Sequence, residues 1–271
     1  MQNLWKRIPL KRRQLITKMA LYAGSIIALF LIWQIASMII YAIYSNTDER
    51  YFTYFLPTPI NAITNLIAHL QQISLGFGAS ALRMLVSILL AILIGTPIGL
   101  VIGHEKIVDR LFSPLLYIMN PIPKVVFVPL LFIFFGIGNS PKIILITLLL
   151  VFPVILAARD AAKSIHKTYL LSVRSLNATR GQIYRHVVLP ACLPAILTTV
   201  RLSIGFATVG LAITETWNAK VGLWLYILNA SIQHNGSGVF AGIVAFAILG
   251  LIFYSIVDLI ERLVCRWSYA A

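Results

Sequence analysis

Acidic residues are scarce in this sequence. Its 271 residues hold 8 Asp and Glu against 22 Lys and Arg, for a formal net charge of +14. Charge of either sign is thin: 11% of residues are charged and 59% are hydrophobic, where soluble domains run near 25% and about 45–50%. No Lys, Arg, Asp or Glu occurs in residues 19–47, 84–104 or 221–257. Each of these runs reaches the ~20 apolar residues that carry a helix across a bilayer. Their length excludes a soluble domain. The missing alternation of polar and apolar residues over ten-residue stretches excludes a closed barrel. Two cysteines, Cys192 and Cys265, exclude a disulfide framework and are expected as free thiols. Five scattered histidines, none spaced with another His, Cys or acid as metal ligands are, give no metal site. No Gly-x-x-x-x-Gly-Lys-Ser/Thr motif is present, so the chain does not itself hydrolyse a nucleotide through such a loop.

The basic residues that remain lie at the ends of apolar runs. Membrane topology explains that placement, and nucleic acid is not an expected partner. The tail 1–20 carries Lys6, Arg7, Lys11, Arg12, Arg13 and Lys18 with no acid, which marks it as cytoplasmic. The apolar run that follows the tail is too long for the core of a cleaved leader and reads as an uncleaved first span. Residues 21–271 then form a single all-α polytopic domain. Six transmembrane helices are expected at about 21–43, 82–102, 125–135, 143–156, 191–213 and 239–260, with both ends cytoplasmic. Between the first two, "PINAITNLIAHLQQI" repeats apolar residues at helical spacing. It suits either an amphipathic helix on the outer interface or a packed connecting helix. Pro121, Pro123 and Pro129 delay a regular helix until about Val125, and Gly136 and Gly138 turn the chain after it.

The most informative stretch is the inner loop 159–190, with six Lys or Arg against Asp160. It reads as two short helices. The first covers about 165–176 and ends at Asn177, a residue second only to Gly for a left-handed helix end. Next, "TRGQ" is a capping box, with Thr179 and Gln182 able to satisfy each other's backbone N–H groups. The second helix runs from Arg180 to about Val188, where Leu189-Pro190 is expected to end it. Capped ends and proline punctuation describe a rigid helix–turn–helix. It could rest on anionic lipid, or transmit force to a soluble partner.

Together, Asn177, Val187, Leu189 and Pro190 resemble the cytoplasmic loop of permease subunits in bacterial ATP-binding cassette importers. That family's pattern is Glu-Ala-Ala, three residues, Gly, nine residues, then Ile-x-Leu-Pro. Here Leu171, Ser172 and Val173 stand for Glu-Ala-Ala, and Asn177 stands for Gly. "PLLFIFFGIGNSPKIILI", "ASALRMLVSILLAILIGTPIGLVIG" and "LPAILTTVRLSIGFA" are similar to the branch importing nitrate, sulfonates, taurine and related compounds. The resemblance implies a type I importer permease fold in the bacterial inner membrane, working as a dimer, with a homodimer expected. It implies a separate ATPase subunit that uses ATP-Mg, an extracytoplasmic substrate-binding protein, and no cofactor or catalytic residue on this chain. Arg174, Ser175, Leu176, Asn177, Ala178, Thr179 and Arg180 would form the coupling element, with Gln182, Val187, Leu189 and Pro190 shaping the loop. A small anion of the sulfonate or nitrate kind is the implied cargo, and a pyrimidine-like nutrient fits the same branch. The opposing reading is a self-standing carrier or a membrane enzyme. It lacks both the internal repeats and the clustered acids or histidines such proteins use.

Ionisable groups at membrane depth are candidate sites. Lys124, at the proline break, is either an interfacial anchor or a cationic gate. Arg201, about three turns into the fifth span, either snorkels inward or lines the pathway. Glu215, Asn218 and Lys220 are either outer-end residues or contacts to the pathway or binding protein.

Overall fold

A computed structural model describes residues 10–44, 55–217 and 219–268. Residues 1–9 of the basic tail, the acidic residues Asp48 and Glu49, and Asn218 lie outside them. The described residues are helical and carry no strand. The chain divides into two compact units, one of residues 1–70 with 229–241 and one of residues 71–228 with 242–271.

The first unit holds α1 (Leu10–Tyr44) and α2 (Pro59–Ala68). Thr58 caps α2 by accepting from the Asn61 N–H at 3.2 Å, and Pro59 fills the first helical position, where its missing N–H is harmless. α1 is tied to the chain before α2 by two side-chain donors: Trp33 Nε1 reaches the Pro57 carbonyl at 3.0 Å and Ser37 Oγ the Leu56 carbonyl at 2.8 Å. Ile60, Ile63 and Ile67 of α2 point outward, as an apolar face in lipid would.

The second unit is built on α3 (Leu70–His104), α6 (Ser140–Ser164), α9 (Leu189–Thr216) and the part of α11 (Gly236–Val264) from residue 242 on. Between them come α4 (Lys106–Met119), a 3₁₀ turn at Lys124–Phe127, α5 (Val128–Phe135), α7 (Lys167–Ser175), α8 (Arg180–Ile183) and α10 (Leu223–Ile232). Among the described residues of the chain, five helical stretches are long and apolar enough to cross a membrane, and α4 with the 3₁₀–α5 segment forms a bent pair at 83° that makes up to a sixth. The break has a sequence cause: Pro121 and Pro123 cannot donate to a continuing helix.

α3 and α6 pack through Gly95, Gly99 and Gly103, spaced one turn apart. A Cβ on Gly95 would lie 2.8 Å from Val154 Cγ1, and one on Gly99 or Gly103 would collide with the carbonyl oxygen of Ile155 or Arg159. Backbones approach this closely in membranes because small residues allow it. Leu145, Ile146, Val154 and Ala158 of α6 and Ile196, Ala207 and Leu211 of α9 are fully enclosed.

Three expectations change. α4 is a regular helix where only a short loop and a proline block were expected; Pro114 sits inside it. Its polarity is inverted, with Asp109 and Ser113 inward and Ile107, Leu111 and Ile118 outward, so a reading that buries apolar faces passes over it. α3 starts at Leu70, well before residue 82. Finally, Leu189-Pro190 does not end the second loop helix. The helical path runs unbroken from Arg180 to Thr216. A π turn at Tyr184–Val188 sends the Leu189 N–H to the carbonyl of Tyr184, five residues back. That wider turn makes room for the Pro190 ring and leaves the missing N–H where no regular bond is due.

Candidate functional site

The hairpin between α6 and α9 has the shape its local chemistry dictates. α7 stops at Ser175, and Asn177 adopts φ 58°, the left-handed turn that ends the first arm. The Thr179 N–H donates to Gln182 Oε1 at 2.8 Å and the Gln182 N–H donates to Thr179 Oγ1 at 3.4 Å, completing the capping box. Two orphan donors are thereby satisfied, so the second arm starts at a defined residue. Leu176, at the tip, is 80% exposed, and Ser175 and Arg180 are exposed with it. Ala178 and Val187 are half-buried. Arg174 lies on α7, its side chain outside the described set.

The base of the hairpin is anchored by a charged cluster. Asp109 of α4 accepts from Arg159 Nε and Lys163 Nζ of α6, both at 2.7 Å, and from Ser113. Arg159 also donates to the Tyr117 hydroxyl and to Asp160, each at 2.7 Å. The reading from sequence placed Arg159 in the loop; it is in fact a buried helical residue joining α6 to α4.

The remaining candidates are tied down. Lys124 is buried, donates to the Met119 carbonyl at 3.1 Å and to that of Asn120, and sits 4.6 Å over the Phe152 ring. It thus closes the C-terminus of α4, where a cation meets the negative end of the helix dipole. Arg201 donates to Asp258 of α11 and lies 3.3 Å from Glu261, with Tyr254 stacked 5.6 Å away. Its charge is matched by acids on the last helix.

Glu215 is completely buried. It accepts from Ser80 Oγ and Arg83 Nη1 of α3, each at 2.6 Å, and from the Trp224 N–H at 2.9 Å. Arg83 continues outward, donating to Asn139 Oδ1 at 2.9 Å and the Val221 carbonyl at 2.8 Å. Ser80 takes the Leu223 N–H at 3.0 Å. One carboxylate therefore fixes α3 and the start of α10 to the end of α9. Gly222 is obligatory here, since a Cβ would lie 2.5 Å from the Glu215 carboxyl carbon. Lys220 and Trp217 flank the network and are exposed.

The sequence reading passed over Arg83, Asp109, Asp258 and Glu261. The available signals were a lone arginine at the edge of a charge-free run and acids at i, i+3 spacing in the last span. Among the described residues, no group of His, Cys, Asp or Glu could hold a metal ion.

A bundle of apolar helices, buried ion pairs linking spans, and a capped hairpin projecting between two spans define a multispan helical membrane protein. The chain belongs to the binding-protein-dependent transport system inner membrane component family, whose model matches residues 95–265. It is 31% identical over 189 residues to the taurine transport system permease protein TauC of Escherichia coli, covering 70% of this chain and 69% of the relative. It is 31% identical to the putative aliphatic sulfonates transport permease protein SsuC of Bacillus subtilis over 78% of both chains. The formylaminopyrimidine transport permease protein ThiX of Halalkalibacterium halodurans is 26% identical over 79% of this chain and 86% of its own. In fold, the chain resembles a subunit of the MetNI methionine ABC transporter in inward-facing conformations. There the TM-score is 0.63 at 21% identity, over 73% of this chain and 98% of the other. This protein is an inner-membrane permease subunit and not an enzyme.

Proposed function

We propose that the chain forms half of a dimeric pathway, a homodimer, which imports a small organic sulfonate or related anion. An external binding protein delivers the cargo. A separate ATPase subunit binds and hydrolyses ATP-Mg, and this chain holds no cofactor. Both termini lie on the ATPase side. Residues 174–180 enter a groove of the ATPase, and its closure swings the hairpin and reopens the pathway. Leu176, exposed at the apex of a doubly capped turn, is the observation that carries this reading. A docking knob has to be stiff to move spans and apolar to hold in a groove. Sulfonate as cargo is supported by the names of two relatives sharing 31% identity. Lys124, Arg201 and Glu215 are each committed to internal partners, which favours a structural role for all three.

The test is extraction of the protein from its own membrane in mild detergent, with identification of what co-purifies. An ATPase in equal amount is expected with the wild type and should be lost from a Leu176→Asp, Ala178→Asp variant. Recovery of the wild type alone, or retention of the ATPase by the variant, refutes the docking role.

A further inference from the structure

A cleft of about 400 Å³ lies under the hairpin, between the α3–α4 corner, the end of α6 and the two arms. This volume is in the range of small-ligand sites. Its apolar side is formed by Ala162, Ile165, Leu171 and Ile183. His104 and Tyr184, edge to face at 5.0 Å, line it as well. Lys106, Lys163 and Arg180 supply cations, and Glu105 is the one acid that lines it. Two of those cations keep donors to spare. Lys163 is held by Asp109, but Lys106 is exposed, and Arg180 makes only a loose 3.9 Å approach to Glu105 with its side chain 90% exposed. From residue 161 to 190 the sequence has no acid. A cleft with spare Arg and Lys donors and an apolar back is built for an oxyanion attached to an apolar body.

We propose that this cleft binds a phosphate group, and that the group belongs to an anionic phospholipid headgroup. The position of α4 argues for lipid as the source. Ile107, Leu111 and Ile118 form an outward apolar row, and the row begins one residue after Lys106. A helix resting that face in the acyl region holds its first residue, and the cleft beside it, at headgroup level. The bound phosphate would bridge Lys106 on the α3–α4 corner to Arg180 on the second arm, bracing the hairpin against the spans. The site shares Arg180 with the proposed docking element, and its test uses only the purified chain and lipid.

The purified full chain is equilibrated with mixed micelles containing phosphatidylglycerol or phosphatidylcholine, and retained lipid is counted by native mass spectrometry. About one phosphatidylglycerol per chain should be retained in preference to phosphatidylcholine. Losing a charge-assisted hydrogen bond to the phosphate costs about tenfold, so Lys106→Ala, Arg180→Ala should cut the preference roughly hundredfold. Lys167→Ala, Arg185→Ala removes the same charge outside the cleft and should leave the preference intact. Inorganic phosphate at millimolar concentration should compete with phosphatidylglycerol. Should phosphate alone occupy the site, with no preference between the two lipids, the ion is free and the lipid assignment is overturned. Equal loss from both double variants would mean diffuse charge attraction and would overturn the site. Unchanged phosphatidylglycerol retention by Lys106→Ala, Arg180→Ala would mean that these two side chains do not hold the headgroup, and would also overturn the site.

Discussion

Replacing Glu215 with Gln should destabilise the protein by about 3–5 kcal/mol, the range for removing one partner of a buried ion pair. The carboxylate is fully enclosed and accepts from Ser80, Arg83 and Trp224. Gln keeps one acceptor oxygen and the shape of the side chain. It leaves the Arg83 guanidinium, itself buried, without its counter-charge, and it points an N–H₂ at donors. Most of the loss therefore comes from the stranded arginine and not from the missing attraction. Arg83→Met combined with Glu215→Gln should recover at least half of the loss, giving a coupling energy of about 2 kcal/mol or more. The assay is equilibrium unfolding in mixed micelles, followed by helix content. Thermal unfolding of detergent-solubilised protein provides a second reading. A single Glu215→Gln loss below about 1 kcal/mol, or a double variant no better than the single, would refute the reasoning and return Glu215 to the surface of the pathway.

Other residues make cheaper tests. Gly99→Leu should destabilise by more than the ~1–3 kcal/mol typical of overpacking, because the new side chain meets the backbone of α6, and unfolding in mixed micelles measures it. Thr179→Ala removes one half of the capping box and should loosen the second arm by about 1 kcal/mol, seen as faster amide exchange in residues 180–183 with the spans unchanged. Asn177→Gly should be tolerated and Asn177→Val should not, since φ 58° strains a β-branched residue; amide exchange across the hairpin separates the two. Cys265 is buried past the end of α11, and burial together with the Glu261 carboxylate pushes its thiol up. Less thiolate is then present at neutral pH, so maleimide should label the folded protein more slowly than a free thiol, and the rate should climb as pH is raised.

The hairpin was legible in the sequence because its signals are local. Asn177 ends a helix by its own backbone tolerance, and Thr179 and Gln182 meet across three residues whatever surrounds them. Charge-free runs likewise announce spans, because bilayer thickness sets their length without reference to any neighbour. α4 escaped for a different reason. Its apolar residues face outward, and the direction of a face is a property of what the helix packs on.

The sequence alone determined that this is an all-helical membrane protein, where its principal spans lie, and that a doubly capped basic hairpin separates two of them. Each follows from the water-to-bilayer preference of single residues or from bonds within one turn. Only the tertiary structure decided the partners of the buried charges. Arg83 and Glu215 are 132 residues apart, Asp109 and Arg159 are 50 apart, and Arg201 and Asp258 are 57 apart. No local pattern pairs side chains over such separations, because the choice depends on which helix faces meet. It also decided that the helix passes through Pro190, since a π turn is the route open to a chain that must leave the hairpin and enter the bundle without a break.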